Sequence, residues 1–328
     1  MNKHLAMAAF GALTVTGAFA QSNVTIYGVV DVGISREDNG AAAGNVWRMD
    51  SGIQSGSRVG FRGTEDLGGG LRANFVLENG FSTDTGTLGQ GGRLFGREAT
   101  IGLSGGFGAV KLGRQFNPIF KVIDNFEPFG TGLAGDAARL FSTYGIRADN
   151  AIDYITPTIG GFTGELQYAL GEVAGNSSGA RQVGGTINYA QGPFAAALSF
   201  HRQNNATGTD DAKTTLLAGT YDFRFVKAHA MYAINKGVGT LDTRDALVGV
   251  SVPVGAGKLI ADYIHKDDKL VANGDADQVA IGYVHPLSKR TNLYTSYSHT
   301  SNDAAAAYNV AAPGRSDKLF NVGIRHRF

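Results

Sequence analysis

Val24-Thr25-Ile26-Tyr27-Gly28-Val29-Val30-Asp31-Val32-Gly33-Ile34-Ser35 decides the fold. Val24, Ile26, Gly28, Val30, Val32 and Ile34 fall on one face, and Asn23, Thr25, Tyr27, Asp31 and Ser35 on the other. Side chains that alternate with period two belong to an extended strand with two different surroundings. The run is about ten residues or more, enough to cross a bilayer at a tilt, where ordinary strands average about five or six.

The same alternation recurs outward from this stretch. Leu71, Ala73, Phe75 and Leu77 oppose Arg72, Asn74 and Glu78; Phe162, Gly164, Leu166, Tyr168 and Leu170 oppose Thr163, Glu165 and Gln167. Leu293, Thr295 and Tyr297 oppose Asn292, Ser296 and Ser298, and the chain ends with Phe320, Val322, Ile324 and Phe328 opposite Asn321, Arg325 and Arg327. Aromatic residues recur near segment ends (Tyr27, Phe81, Tyr168, Phe200, Tyr232, Tyr263, Tyr283, Phe328), as the interfacial girdles of a membrane barrel require. In lipid every backbone polar group needs a partner, so a long sheet has to close on itself.

The connections alternate between short and long. Tight turns fall near 68–70, 104–108, 157–161, 190–193, 223–226, 254–257 and 286–291. Longer polar stretches fall near 36–46, 82–93, 116–147, 172–182, 203–213, 236–243, 268–275 and 302–315. Seven short and eight long connections imply sixteen strands with both termini on the short-turn side. The expectation is an all-β, sixteen-stranded antiparallel transmembrane β-barrel, with short periplasmic turns and long outer loops.

The first twenty residues read as an export signal. Lys3 and His4 form a basic start, Leu5 to Val15 is apolar or small except for Thr14, and Ala18-Phe19-Ala20 is an A-x-A cleavage site. Residues 1–20 are expected to be removed, leaving 21–328 as one barrel domain. Of 29 Lys and Arg residues Lys3 leaves with the signal, so 28 basic residues face 28 acidic ones. That balance gives no reason to expect a nucleic-acid partner, and any charge selectivity must come from where charges sit. The chain has no cysteine, which excludes a disulfide scaffold and a Cys-ligated metal site. Its 48 glycines, seven prolines, 19 Phe and 12 Tyr suit many strands joined by tight turns. The exported part has no run of about 18 apolar residues that would make a transmembrane helix.

Several segments resemble the general porins of Gram-negative outer membranes, of the β-proteobacterial type. They are Val24-Thr25-Ile26-Tyr27-Gly28-Val29-Val30-Asp31, Gly56-Ser57-Arg58-Val59-Gly60-Phe61-Arg62-Gly63-Thr64-Glu65-Asp66-Leu67-Gly68, Gly92-Arg93-Leu94-Phe95-Gly96-Arg97, Leu112-Gly113-Arg114-Gln115 and Val322-Gly323-Ile324-Arg325-His326-Arg327-Phe328. They are spread in order over the whole exported chain. The resemblance implies a homotrimer in the outer membrane, in contact with lipid and lipopolysaccharide, and a third loop folded into the pore. It implies a water-filled channel for passive diffusion of small hydrophilic solutes and inorganic ions. The closing Phe320, Val322, Ile324 and Phe328 resemble the signal that outer-membrane assembly machinery reads on its clients.

A barrel of this size is too wide for side chains to fill, so something has to narrow it. The longest connection, 116–147, carries Phe116, Ile119, Phe120, Phe126, Phe129, Leu133, Leu140 and Phe141, which can pack on a wall. Glu127-Pro128-Phe129-Gly130 resembles the tip of the family's inward-folded third loop, and Asp124, Glu127 and Asp136 are its acidic residues. The resemblance sets Arg58, Arg97 and Arg147 on the opposite wall. Alternation independently turns Arg58, Arg62, Arg72 and Arg147 inward. Arg97 shares parity with Ala99, Ile101 and Leu103, which would turn it outward unless a bulge or a rim position intervenes. An arginine excess at the narrowest point would favour anions mildly.

Enzymatic chemistry finds no foothold. His201, His229, His265, His285, His299 and His326 are scattered without an H-E-x-x-H pair, and no G-x-S-x-G elbow occurs. Asp267, Asp268, Asp275 and Asp277 gather on an outer stretch without an EF-hand pattern. Gly86 to Gly92 is glycine-rich but lacks the Lys-Ser/Thr of a phosphate loop. No metal or cofactor is therefore expected. Two other functions fit the same barrel: an anion porin with a saturable substrate site, and an adhesin or structural barrel with a plugged lumen.

Overall fold

The computed structural model describes residues 23–142, 145–239 and 241–328; the export signal expected over 1–20 lies outside them. Seventeen strands follow one another: β1 (Asn23–Asp38), β2 (Val46–Ser51), β3 (Arg58–Gly68), β4 (Leu71–Gly80), β5 (Glu98–Gly105), β6 (Gly108–Phe116), β7 (Arg147–Ile155), β8 (Phe162–Ala169) and β9 (Gln182–Gln191), then β10 (Phe194–Asn204), β11 (Asp211–Asp222), β12 (Lys227–Lys236), β13 (Asp242–Val254), β14 (Gly257–Asp268), β15 (Ala276–Pro286), β16 (Thr291–Asn302) and β17 (Asp317–Arg327). Between β6 and β7 lie a helix, α1 (Pro118–Phe126), and a 3-10 turn (Ala137–Arg139).

Each strand except β2 pairs antiparallel with its successor, and β1 pairs with β17 from Val29↔Arg327 to Asp38↔Lys318, which closes the sheet. The barrel has sixteen staves, not seventeen, because β2 and β3 are one stave in two pieces. β1 pairs with β3 from Asn23↔Thr64 to Val29↔Arg58, then with β2 from Val32↔Ser51 to Glu37↔Val46. The break is built from local chemistry. Gly52 takes φ +72, a left-handed turn that favours glycine. The Asp31 carboxylate accepts the backbone N–H groups of Gln54 (2.9 Å) and Ser55 (2.7 Å), satisfying donors that left the ladder. The alternation read from the sequence gives no sign of this break.

The burial pattern is that of a protein turned inside out. Ile101, Leu166, Ile187, Leu217 and Val248 are 58–67% exposed on the outer surface, while Ser199, Asn235, Gln278, Ser298 and Thr300 are fully buried inside. Such a surface is stable only against hydrocarbon. Tyr168, Phe200, Tyr232 and Tyr263 stand outward as the sequence suggests. Tyr27 does not belong with them: it faces the lumen, and its hydroxyl donates to Glu78 Oε2 at 2.9 Å. A further aromatic group that the sequence reading passed over sits at the short-turn end, where Tyr221, Phe223 and Phe225 form a chain of rings 4.5 and 6.2 Å apart.

The chain end is fastened by its last residue. Phe328 N–H donates to Gly28 O and Gly28 N–H donates to Phe328 O, each at 3.1 Å. The Phe328 ring lies where a Cβ on Gly28 would be, so the ring shields a bare stretch of β1 backbone. Gly28→Val should lower folding stability by about 1–3 kcal/mol through overpacking, and adding Phe328→Ala should restore part of the loss. The urea midpoint in lipid vesicles, followed through the single tryptophan Trp47, measures both.

Candidate functional site

The third loop folds into the lumen because its sequence makes an amphipathic helix with a start and a stop. Asn117 caps α1, its Oδ1 accepting the Phe120 N–H at 2.8 Å, and Pro118 occupies the first turn, where no N–H is needed. Ile119, Val122, Ile123 and Phe126 recur at helical spacing and are buried; Asp124 and Asn125 are exposed on the other side. Pro128 follows directly and prevents continuation.

The wall that receives the helix departs from the polar interior elsewhere. Ala197 of β10, Leu216 and Ala218 of β11, Met231 and Ala233 of β12, Leu247 of β13 and Ile264 of β14 form one apolar cluster with α1, Leu140 and Phe141. Because the lumen is aqueous, this contact is driven by water, at about 1.5–3 kcal/mol per fully buried large side chain. The loop tip makes a second cluster, in which Phe129 and Leu133 pack on Ile260, Ala280 and Tyr294.

Polar contacts fix the register of the docked loop. His229 Nδ1 donates to the Phe126 carbonyl at 2.7 Å, where the helix leaves its last C=O groups open. Lys121 Nζ pairs with Glu165 (2.6 Å) and Asp153 (3.2 Å). On the returning arm, Lys266 Nζ donates to Leu140 O (2.7 Å) and pairs with Asp245 (2.8 Å), while Asp245 also accepts the Ser142 N–H at 3.1 Å. Arg139 pairs with Asp317 at 2.6 Å. The interrupted stave meets the tip directly, with the Leu133 N–H donating to Ile53 O at 2.5 Å.

Between loop and wall a cavity of about 890 Å³ remains, lined by Arg58, Arg97 and Arg147 across from Asp124. Arg97 Nε pairs with Glu78 Oε1 at 2.7 Å and Arg58 Nε with Glu78 Oε2 at 3.5 Å. Arg147 Nε donates to the Arg97 carbonyl at 2.7 Å, and its guanidinium lies 4.2 Å from the Phe116 ring centre. Glu78 thus pairs with two guanidiniums, and Arg147 stands beside them with no salt-bridge partner among the described residues. Arg97 points inward despite its parity because it precedes β5 in a bend, where strand alternation does not yet apply.

Four sequence expectations need correction. Arg62 and Arg72 do face the lumen side of their strands, but they do not line this cavity. Arg62 pairs in register with Thr25 and Arg72 with Asp66, toward the Gly68–Gly70 turn, so they stand below the eyelet near the mouth. Glu127 touches the cavity, yet both its oxygens are taken by the loop's own backbone, from Thr131 N–H and from Ala137 N–H at 2.7 Å. Asp136 caps the 3-10 turn by accepting the Ala138 N–H at 2.8 Å and does not line the cavity. Of the three acidic candidates only Asp124 is exposed and lines the cavity, although it also accepts the Thr131 hydroxyl within the loop. Missed by the sequence reading were Lys227, Lys258, Arg325 and Arg327, which continue the basic lining toward the short-turn end. The alternation around Phe320–Phe328 already turned Arg325 and Arg327 inward, and that signal would have found them.

Burial, then the proximity of Asp136, raises the Glu127 carboxyl well above its ordinary value of 4.5. Burial likewise lifts Asp136 to about 6. Both groups bind a proton more tightly in the folded loop than in the unfolded chain. Their effect on stability is therefore most favourable at low pH and is lost as pH rises through their folded values. The urea midpoint should fall between about pH 4.5 and 7, and Glu127→Gln should make that fall shallower; equal slopes would detach the pair from the pH dependence.

Comparison with known proteins agrees with this architecture. The Gram-negative porin family model matches residues 5–305. Outer membrane porin protein 32 of Delftia acidovorans is 35% identical, over 98% of each chain. An outer membrane porin protein of Bordetella pertussis is 33% identical over the full length of both. The solved structure of an anion-selective porin from Comamonas acidovorans superposes with a TM-score of 0.83 at 34% identity, covering 94% of this chain and all of the other.

Proposed function

This chain belongs to the Gram-negative porin family, and from that premise we propose that it is an anion-preferring diffusion pore working as a homotrimer. The barrel lies in the outer membrane and passes small hydrophilic solutes and ions passively through its water-filled lumen. One observation carries the anion preference: Arg58, Arg97 and Arg147 stand together on the wall facing the loop, where Arg58 and Arg97 share the Glu78 carboxylate and Arg147 has no salt-bridge partner among the described residues. The name of the Comamonas acidovorans relative, an anion-selective porin, supports the same sign.

The mechanism is electrostatic and steric. Asp124 on the loop and the arginines on the wall set up a transverse field across the eyelet. A polar solute aligns its dipole there and exchanges hydration water for fixed charges, whereas an apolar solute displaces ordered water without compensation. A unit charge about 8 Å from a passing anion, at an effective dielectric of about 20, is worth about 2 kcal/mol. The open cavity favours a channel over a plugged structural barrel, and the porin fold favours a channel over an enzyme. Family membership supports the trimer, the lipid and lipopolysaccharide surroundings, and recognition of Phe320, Val322, Ile324 and Phe328 by the assembly machinery. The Phe328–Gly28 closure fits that last role, since the same residue completes the barrel.

Single channels in a planar bilayer under a salt gradient test the reading. The wild type should open in ohmic steps arriving in threes, with a reversal potential on the anion side. Arg58→Ala with Arg147→Ala should lower the anion-to-cation permeability ratio by about tenfold, the equivalent of about 1.4 kcal/mol. An unchanged reversal potential would remove these residues from the mechanism.

A further inference from the structure

At the short-turn end, the β13–β14 turn, the β15–β16 turn and the end of β17 surround a second cavity of about 310 Å³. Lys258, Lys289, Arg290, Arg325 and Arg327 line it, and among the described residues no carboxylate does. Among the described residues none of these five cations takes part in a salt bridge, whereas Arg58 and Arg97 at the eyelet share Glu78.

The groups that hydrogen-bond these cations are neutral and orient them. Arg325 Nε donates to Asn292 Oδ1 at 3.1 Å and Nη1 to Ser55 Oγ at 3.4 Å. The Arg327 N–H donates to the Arg290 carbonyl at 2.8 Å, tying the β15–β16 turn to the end of β17. The turn itself is ordered by Ser288 Oγ, which accepts the N–H groups of Arg290 (3.1 Å) and Thr291 (3.0 Å). Lys258 shares its face of β14 with Ile260, which packs on Phe129 of the loop, so the cavity opens to the lumen and not to lipid.

We propose that this periplasmic mouth is a second anion site, specific for phosphorylated solutes leaving the eyelet; the inference rests on the pore reading above. Guanidinium forks match the paired oxygens of a phosphate group, and several uncompensated cations favour a multivalent anion over chloride. The cavity shares Lys258, Arg325 and Arg327 with the eyelet lining, so an anion passes from one to the other without crossing a neutral gap. Its volume falls at the lower end of the range of small-molecule sites. The pore thereby acquires a second site, at which multivalent anions concentrate on the exit side and compete with chloride.

Inorganic pyrophosphate is the probe, and chloride current through single pores in zwitterionic lipid is the readout. The chain has no cysteine, so Gln191→Cys, at the end of β9 beside the β9–β10 turn, identifies the periplasmic chamber by its reaction with an impermeant thiol reagent. Pyrophosphate added there should block chloride current at a concentration at least tenfold lower than when added opposite. Lys289→Gln with Arg290→Gln, which change turn residues outside the eyelet lining, should raise the blocking concentration by tenfold or more, with the reversal potential still on the anion side. Absence of block, block without sidedness, or block indifferent to the two substitutions would overturn the site while leaving the anion preference standing. Loss of block on changing to anionic lipid would assign the cluster to lipid phosphate and also overturn it. A wild-type reversal potential on the cation side would overturn both proposals.

Discussion

Everything functional in this barrel depends on an apolar patch placed on the wrong side of a membrane protein. The outer surface must be apolar and the lumen wet, yet Leu216, Met231, Leu247 and Ile264 point inward with Ala197, Ala218 and Ala233. Inside a water-filled tube such a patch has one stable outcome, which is to be covered. The third loop supplies the cover through Ile119, Val122, Ile123 and Phe126 on one face of α1. The hydrophobic effect, which does nothing for the lipid-facing side chains once they are in hydrocarbon, is thus used here to place the constriction.

Docking by that contact decides which polar groups remain available. Lys121, Arg139 and Lys266 are consumed in ion pairs that hold the loop, and Glu127 and Asp136 in its internal caps. What remains toward the open cavity is Asp124 on one side and the arginine group on the other. The field across the eyelet is therefore a residue of the folding problem: charges spent on holding the loop drop out of the pore, and the charges left facing the cavity act on solutes. The buried Asp245–Lys266 pair contributes specificity of placement more than net stability, since burial of such a pair costs about what its attraction returns.

Strand count, closure, the short and long ends and the inward loop were all legible in the sequence, because period-two alternation and connection length are local signals. The β1–β17 seam follows from the matching alternation around Val24–Ser35 and Phe320–Phe328. The break between β2 and β3 was not legible, since its cause, the Asp31 carboxylate, lies on another strand. For the same reason the acidic loop residues were misjudged. Sequence shows that Glu127 and Asp136 carry charge, but whether a backbone N–H or the pore receives that charge depends on a fold within the loop. Arg62 and Arg72 were placed on the correct face but at the wrong height, because alternation gives direction and not depth.

The most direct test of this account is single-channel conductance of a variant whose docking patch has been made polar, Leu216→Asn with Leu247→Asn, in refolded barrels. If the apolar contact sets the eyelet, the loop loosens, conductance rises and the reversal potential moves toward zero, although every eyelet arginine is intact. Conductance and selectivity equal to those of the wild type would contradict the account, and would mean that hydrogen bonds and ion pairs alone hold the constriction.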